Sequence, residues 1–134
     1  MLSDFIKNNS LSARVINKKL LRDSGSKCKL VRNNNQYFLL VFSAKKEVNF
    51  ADLEANFGLF NVRVCDELET EQVTGYNYNF LPPVSIYGVV TILDESVLNF
   101  EKLYFFIEVA KTLEISLFEI EEFSEELKKG SFTM

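Results

Sequence analysis

Three segments, Lys27-Cys28-Lys29-Leu30-Val31-Arg32, Asn33-Asn34-Asn35 and Gln36-Tyr37-Phe38-Leu39-Leu40-Val41-Phe42, adjoin one another without a break, and their reading decides the fold. Residues 27–32 read as a strand. The three asparagines read as a tight turn, because Asn tolerates positive φ. Residues 36–42 are nearly all apolar, the mark of a strand buried on both faces. Upstream, residues 2–7 form a short helix capped by Ser3, and residues 12–16 an exposed strand. Downstream, Asn49 is a good N-cap for a helix over residues 50–57, with Gly58 at its C′ position. Residues 61–65 alternate as a strand, and Asp66 caps a second helix that ends near Val73, before Gly75. Residues 76–85 are a polar-aromatic loop holding both prolines, and residues 86–93 are an apolar strand. Asp94-Glu95-Ser96 turns the chain toward another apolar strand at 103–107. Ser116-Leu117-Phe118-Glu119 is a capping box that opens a helix running to Lys129, stopped by Gly130. Glu119, Glu121, Glu122, Glu125 and Glu126 then fall on its wet face, against an apolar stripe of Phe118, Ile120, Phe123 and Leu127. Helices and strands interleave, with short hairpin-like links among them. The expected fold class is therefore α/β (mixed α+β), one domain over residues 1–134 with a mixed sheet. Residues 36–42, 86–93 and 103–107 are its central strands, with Phe38, Leu40, Ile92, Phe105 and Ile107 in the core.

Composition bounds the chemistry. The chain has 134 residues, 47% of them hydrophobic, with thirteen Phe, five Gly and two Pro. A domain of that size buries about two-thirds of its unfolded surface, and so aromatic a chain is not disordered. The absence of His excludes His-based triads and imidazole general bases. Cys28 and Cys65 are too few for a disulfide scaffold and too far apart for a zinc clip. No apolar run approaches the ~20 residues that span a bilayer, and residues 1–10 do not read as a signal peptide. The expectation is a soluble cytoplasmic protein. Its net charge of −4 divides unevenly: residues 1–46 sum to +8 and residues 47–134 to −12. A basic segment on an acidic protein forms a footprint for a polyanion, with Lys18, Lys19, Lys27 and Lys29 as its contacts. The same charges also read as solvated faces that attract each other within the fold.

The order of segments is more specific than these bounds. Val62-Arg63-Val64, a capped helix, Thr74-Gly75-Tyr76, a Pro-Pro loop, an apolar strand and Asp94-Glu95-Ser96-Val97-Leu98 together resemble the YbaK family. That family includes the editing domain of bacterial prolyl-tRNA synthetase and free-standing trans-editing proteins. Ala13-Arg14-Val15-Ile16 is similar to the family's opening strand. The resemblance spans residues 12 to about 123 and rests on the ordered set rather than on one motif. It implies a partly barrel-like sheet and hydrolysis of the ester joining a wrong amino acid to tRNA. The implied partners are the aminoacylated 3′ end of tRNA and an aminoacyl-tRNA synthetase. No membrane, cofactor or metal is implied. Such an ester needs little acid/base help if water is positioned and the oxyanion meets N–H donors or an ammonium.

The family's site uses a Lys on an early strand and a Gly-x-x-x-Pro loop. Aligning its Leu-Val on Leu30-Val31 puts Cys28 at the lysine, flanked by Lys27 and Lys29. In a regular strand both lysines point away from the face that Cys28 takes, and a bulge would reverse this. The loop maps on Asn79-Phe80-Leu81-Pro82-Pro83, with Asn79, which tolerates a left-handed backbone, at the glycine. Val84-Ser85 replaces the usual Phe-Gly, and Ser43-Ala44-Lys45 replaces Pro-Gly-Asp. A late glycine gives way to Glu108-Val109-Ala110. The resemblance thus implies Lys27, Lys29 and Asn79 as catalytic groups, with Cys28, Tyr76, Leu81, Pro83 and Asp94 around the substrate. Taken alone, the lysines read as a solvated strand face and Cys28 as a small buried hydrophobe. Likewise, Pro82-Pro83 reads as an ordinary turn, and Asp94 as the cap of a turn through Ser96. Three functions remain open: a trans-acting deacylase for a small misattached amino acid, a silent descendant that binds tRNA or a nucleotide, and a partner-binding module.

Overall fold

The computed structural model describes residues 1–18 and 24–134, so Lys19 of the basic segment lies outside the described residues. Chain order gives α1 (Leu2–Asn8), β1 (Arg14–Ile16), β2 (Ser26–Asn33), β3 (Gln36–Ser43), α2 (Phe50–Phe57), β4 (Arg63–Val64) and α3 (Glu67–Thr74). It continues with β5 (Val90–Asp94), a 3₁₀ turn (Glu95–Val97), β6 (Lys102–Glu108), β7 (Lys111–Ser116), α4 (Leu117–Glu122) and β8 (Glu126–Gly130). The strands form one mixed sheet in the order β1-β7-β6-β2-β3-β5-β8, with β4 added to β2. It is a mixed α/β domain whose sheet curls as a half-barrel with helices around it.

The β2–β3 hairpin forms as its sequence dictates. Asn34 takes φ 54°, and all eight positions pair from Ser26↔Ser43 to Asn33↔Gln36. β3 pairs in parallel with β5 on its other edge. Its faces diverge by alternation: Phe38, Leu40 and Phe42 pack with Leu53, Ile92 and Phe132, while Val41 packs with Leu93, Phe105 and Leu113. Helices α2 and α3 also start and stop at their caps. Asn49 and Asp66 accept the N–H groups of Asp52 and Glu69, and Gly58 and Gly75 close the ends in left-handed conformation.

Several expectations are corrected. Helix α1 begins at Leu2, without a side-chain cap from Ser3. The strand expected from residue 86 begins at Val90, because Ser85 (φ 70°) and Gly88 (φ 77°) turn the backbone out of extended geometry just before it. Ile107 is only partly buried, whereas Phe38, Leu40, Ile92 and Phe105 are fully buried. The helix opened by Ser116 ends at Glu122, and residues 126–130 form β8 in parallel with β5. Pairing with the otherwise open edge of β5 outweighs the helical preference of Glu-Glu-Leu-Lys-Lys. The glutamates consequently do not form one wet face. Glu119 is buried and accepts the N–H and hydroxyl of Ser12 at 2.8 and 3.0 Å, while Phe118, expected in the apolar stripe, is exposed. Strand β7, not among the expected strands, pairs with β6 through the turn Val109-Ala110 and carries β1 on its outer edge.

Candidate functional site

Strand β2 decides which side chains meet the Pro-Pro loop. Its register sets Lys27 opposite Phe42, Cys28 opposite Val41 and Lys29 opposite Leu40, with no bulge. Cys28 therefore takes the Val41 face, in contact with two core clusters, and both lysines take the Phe42 face. The Lys27 ammonium lies over the Phe42 ring, 5.4 Å from its centre. Lys29 is half-buried there. Burial, and then the like charge of Lys27, depress its ammonium pKa against the opposing pull of Glu47.

On the Cys28 side lies a cavity of about 190 Å³. It opens where β2 and β6 part, since Ser26↔Phe105 is the register position that pairs them. Ser26, Lys27 and Cys28 contribute from β2, Phe105 and Phe106 from β6, and Asn79 and Leu81 from the loop. Burial pushes the Cys28 thiol up, so it stays protonated at neutral pH and is a poor nucleophile. Asn79 is exposed and does not adopt the left-handed conformation considered for it. Its N–H instead bonds the Asn77 side-chain carbonyl at 2.9 Å, an Asx turn that shapes the loop without positive φ.

The structure brings together four of the eight residues singled out from the sequence: Lys27, Cys28, Asn79 and Leu81. Lys29 takes the same face as Lys27 but stands further along β2, outside the lining. Pro83 is buried and outside the lining. Tyr76 borders a different hollow with Phe80 and Pro82, and donates its hydroxyl to Ser85 Oγ at 2.9 Å. Asp94 is buried at the end of β5. There its carboxylate accepts from the N–H of Ser96 (3.1 Å), the N–H of Phe132 (2.8 Å) and the hydroxyl of Thr133 (2.8 Å). Burial pushes this carboxyl up, but those three donors outweigh it and hold it below its ordinary range. The cap through Ser96 is thus present, together with an anchor for the C-terminal segment.

Two features were not visible in the sequence. Ser85, where the resemblance expects glycine, and Ala110, within the stretch that stands in place of the late glycine, both adopt left-handed φ, 70° and 61°. The second feature is a charged cluster beside α3. Glu69 accepts from Arg63 (2.9 Å), Arg32 (3.0 Å) and Tyr37 (3.0 Å), and its carboxyl falls to about 2, chiefly through Arg63. Nearby Cys65 is pushed up to about 12, mainly by burial and next by the Glu69 charge.

With this geometry in place, comparison with known proteins is decisive at one level. The family model described as an aminoacyl-tRNA editing domain matches residues 11–123. The chain belongs to the aminoacyl-tRNA editing domain family. Among solved structures, a hypothetical protein is 20% identical, with a TM-score of 0.84 and 99% of both chains covered. A candidate trans-editing enzyme for prolyl tRNA synthetase is 12% identical, with a TM-score of 0.84 over 99% of this chain and 94% of that one. The same fold occupies 30% of a candidate signal transduction protein from Marinobacter aquaeolei VT8, at 13% identity and a TM-score of 0.79. At those identities the likeness is one of fold. No curated protein matches the chain in sequence. Within this editing domain, no group of three or more potential ligands among the described residues lies close enough to hold a metal ion. No described helix is long and apolar enough to cross a membrane.

Proposed function

We propose that this editing domain is a trans-acting hydrolase that removes a small misattached amino acid from tRNA. The observation that carries the reading is the cavity at which β2, β6 and the Asn79 loop converge. Its volume suits a small side chain, and Leu81, Phe105 and Cys28 give it an apolar wall. The polar groups on its lining, Lys27 and Asn79 with Ser24 and Ser26, are those available to the ester. Lys27, not Lys29, is the cation that steadies the carbonyl oxygen, swinging from Phe42 to the cavity mouth when the substrate arrives. The Asn79 amide is a second donor. With the thiol of Cys28 neutral, attack falls to a water molecule, which the neighbouring ribose hydroxyl of the substrate can orient. Donors brought to the developing oxyanion, rather than a covalent intermediate, then lower the barrier. In this reading the partner is the aminoacylated 3′ end of tRNA, with an aminoacyl-tRNA synthetase as the source of the error it corrects, in the cytoplasm.

One observation favours a second reading. The neutral Cys28 occupies the face on which the resemblance expects a lysine, which suits a domain that binds the aminoacylated end without cleaving it. Deacylation of tRNA charged with Ala or Cys separates the two. Hydrolysis faster than in protein-free solution supports the hydrolase, and tight binding without acceleration supports the silent binder.

A further inference from the structure

A second cleft, of about 360 Å³, adjoins the cavity and shares Ser24 and Ser26 with it. Its walls carry a set of groups that the cavity lacks. Lys45 and Lys102 bring two positive charges, and no carboxylate lines it among the described residues. Ser43 and Ser96 add hydroxyls from β3 and the 3₁₀ turn. Ser96 Oγ already accepts the Ser43 N–H at 3.0 Å, which leaves its own hydroxyl hydrogen to donate. Phe100 stands at the edge with 58% of its surface exposed, against the usual preference of so large an apolar ring for burial. Among the described residues Lys102 has one ion-pair contact, 3.8 Å from Glu114, and that carboxylate is held more closely by Arg14 at 2.9 Å. An exposed aromatic face beside lysines and hydroxyls is the composition of a surface that stacks an unpaired base and neutralises its phosphates.

We infer that this cleft binds the single-stranded ribonucleotides next to the acylated terminus, with a base stacked on Phe100 and phosphates on Lys45 and Lys102. The inference rests on the proposed editing reading for the identity of the RNA, and it adds the surface that would hold it. Continuity through Ser24 and Ser26 gives the chain direction: the acyl group enters the cavity and the preceding nucleotides run out along the cleft. Serine hydroxyls at the junction meet the ribose.

The test is the affinity of the full chain for uncharged tRNA at low salt, measured by fluorescence anisotropy alongside tRNA trimmed of its 3′ single-stranded nucleotides. Phe100→Ala is expected to weaken binding of intact tRNA roughly 5- to 100-fold, the range for loss of one stacked base. Phe100→Trp should restore it, and Phe60→Ala, at a still more exposed ring outside the cleft lining, should change nothing. Replacing Lys45 and Lys102 together should flatten the salt dependence by about 1.4 in log–log slope. Trimmed tRNA should be insensitive to Phe100. Equal affinity of Phe100→Ala and the natural protein, or equal loss with trimmed and intact tRNA, would overturn the inference. Deacylation by the natural protein is a separate readout. Activity with Phe100-independent binding defeats the cleft alone, and Phe100-dependent binding without activity defeats the hydrolase alone.

Discussion

Asp94 Oδ1 accepts the backbone N–H of Phe132 at 2.8 Å, across 38 residues of sequence, and so ties the C-terminal segment to the end of β5. The same carboxylate caps the 3₁₀ turn and holds Thr133, which positions β8 beside β5 and seats Phe132 in the core. Asp94→Ala leaves the buried Phe132 N–H without its acceptor, and a cost of about 1–3 kcal/mol is expected in chemical denaturation. Asp94→Asn, which keeps one acceptor oxygen, should cost less.

Acid should unfold the protein through its paired carboxylates. Asp94 and Glu69 both have folded-state values below their ordinary ones, Glu69 at about 2. A lowered carboxylate contributes stability that is present above its unfolded value and lost as pH falls through the folded one. Thermal stability should therefore decline between about pH 5 and 2. Glu69→Gln should flatten that decline, and an unchanged profile would remove Glu69 from the explanation.

Ala110 offers a test of backbone strain free of side-chain bonds. Its φ of 61° is costly for an L-residue, and glycine relieves that cost. Ala110→Gly is expected to stabilise the β6–β7 hairpin by about 0.5–1 kcal/mol. Ser85→Gly should gain less, because it also removes the partner of the Tyr76 hydroxyl.

Burial separates two core positions that the sequence treats alike. Ile92 is inaccessible between β3 and β8, so Ile92→Ala should cost about 2–5 kcal/mol. Ile107, partly exposed near the end of β6, should cost distinctly less.

Those two isoleucines mark a limit of what the sequence made legible. The apolar run of β3, the asparagine turn, and the Asn49 and Asp66 caps carry local signals that tertiary structure did not overrule. Strand β8 carries none: Glu-Leu-Lys-Lys-Gly is extended because β5 needs a partner and Asp94 anchors the adjoining Phe132 and Thr133. Strand β7 does alternate, with Leu113 and Ile115 inward, but its signal lay between a turn and a helix cap. At the site, the period of two separated Cys28 from Lys27 and Lys29, and the fold kept that separation. The left-handed Ser85 was not legible, since neither serine nor its neighbours favour that conformation. The second cleft was equally hidden, because its serines and lysines come from four separate segments of the chain.

The most direct test is the rate at which the natural protein and its Lys27→Ala, Asn79→Ala and Cys28→Ala variants deacylate Ala- or Cys-charged tRNA. The expected result is acceleration over spontaneous hydrolysis by the natural protein, lowered by up to about 10²–10³ on loss of a main oxyanion donor at Lys27 or Asn79. Cys28→Ala should retain near-natural activity. A natural protein that gives no acceleration, while Cys28→Lys combined with Asn79→Gly does, would contradict the hydrolase and leave a binder of the aminoacylated end.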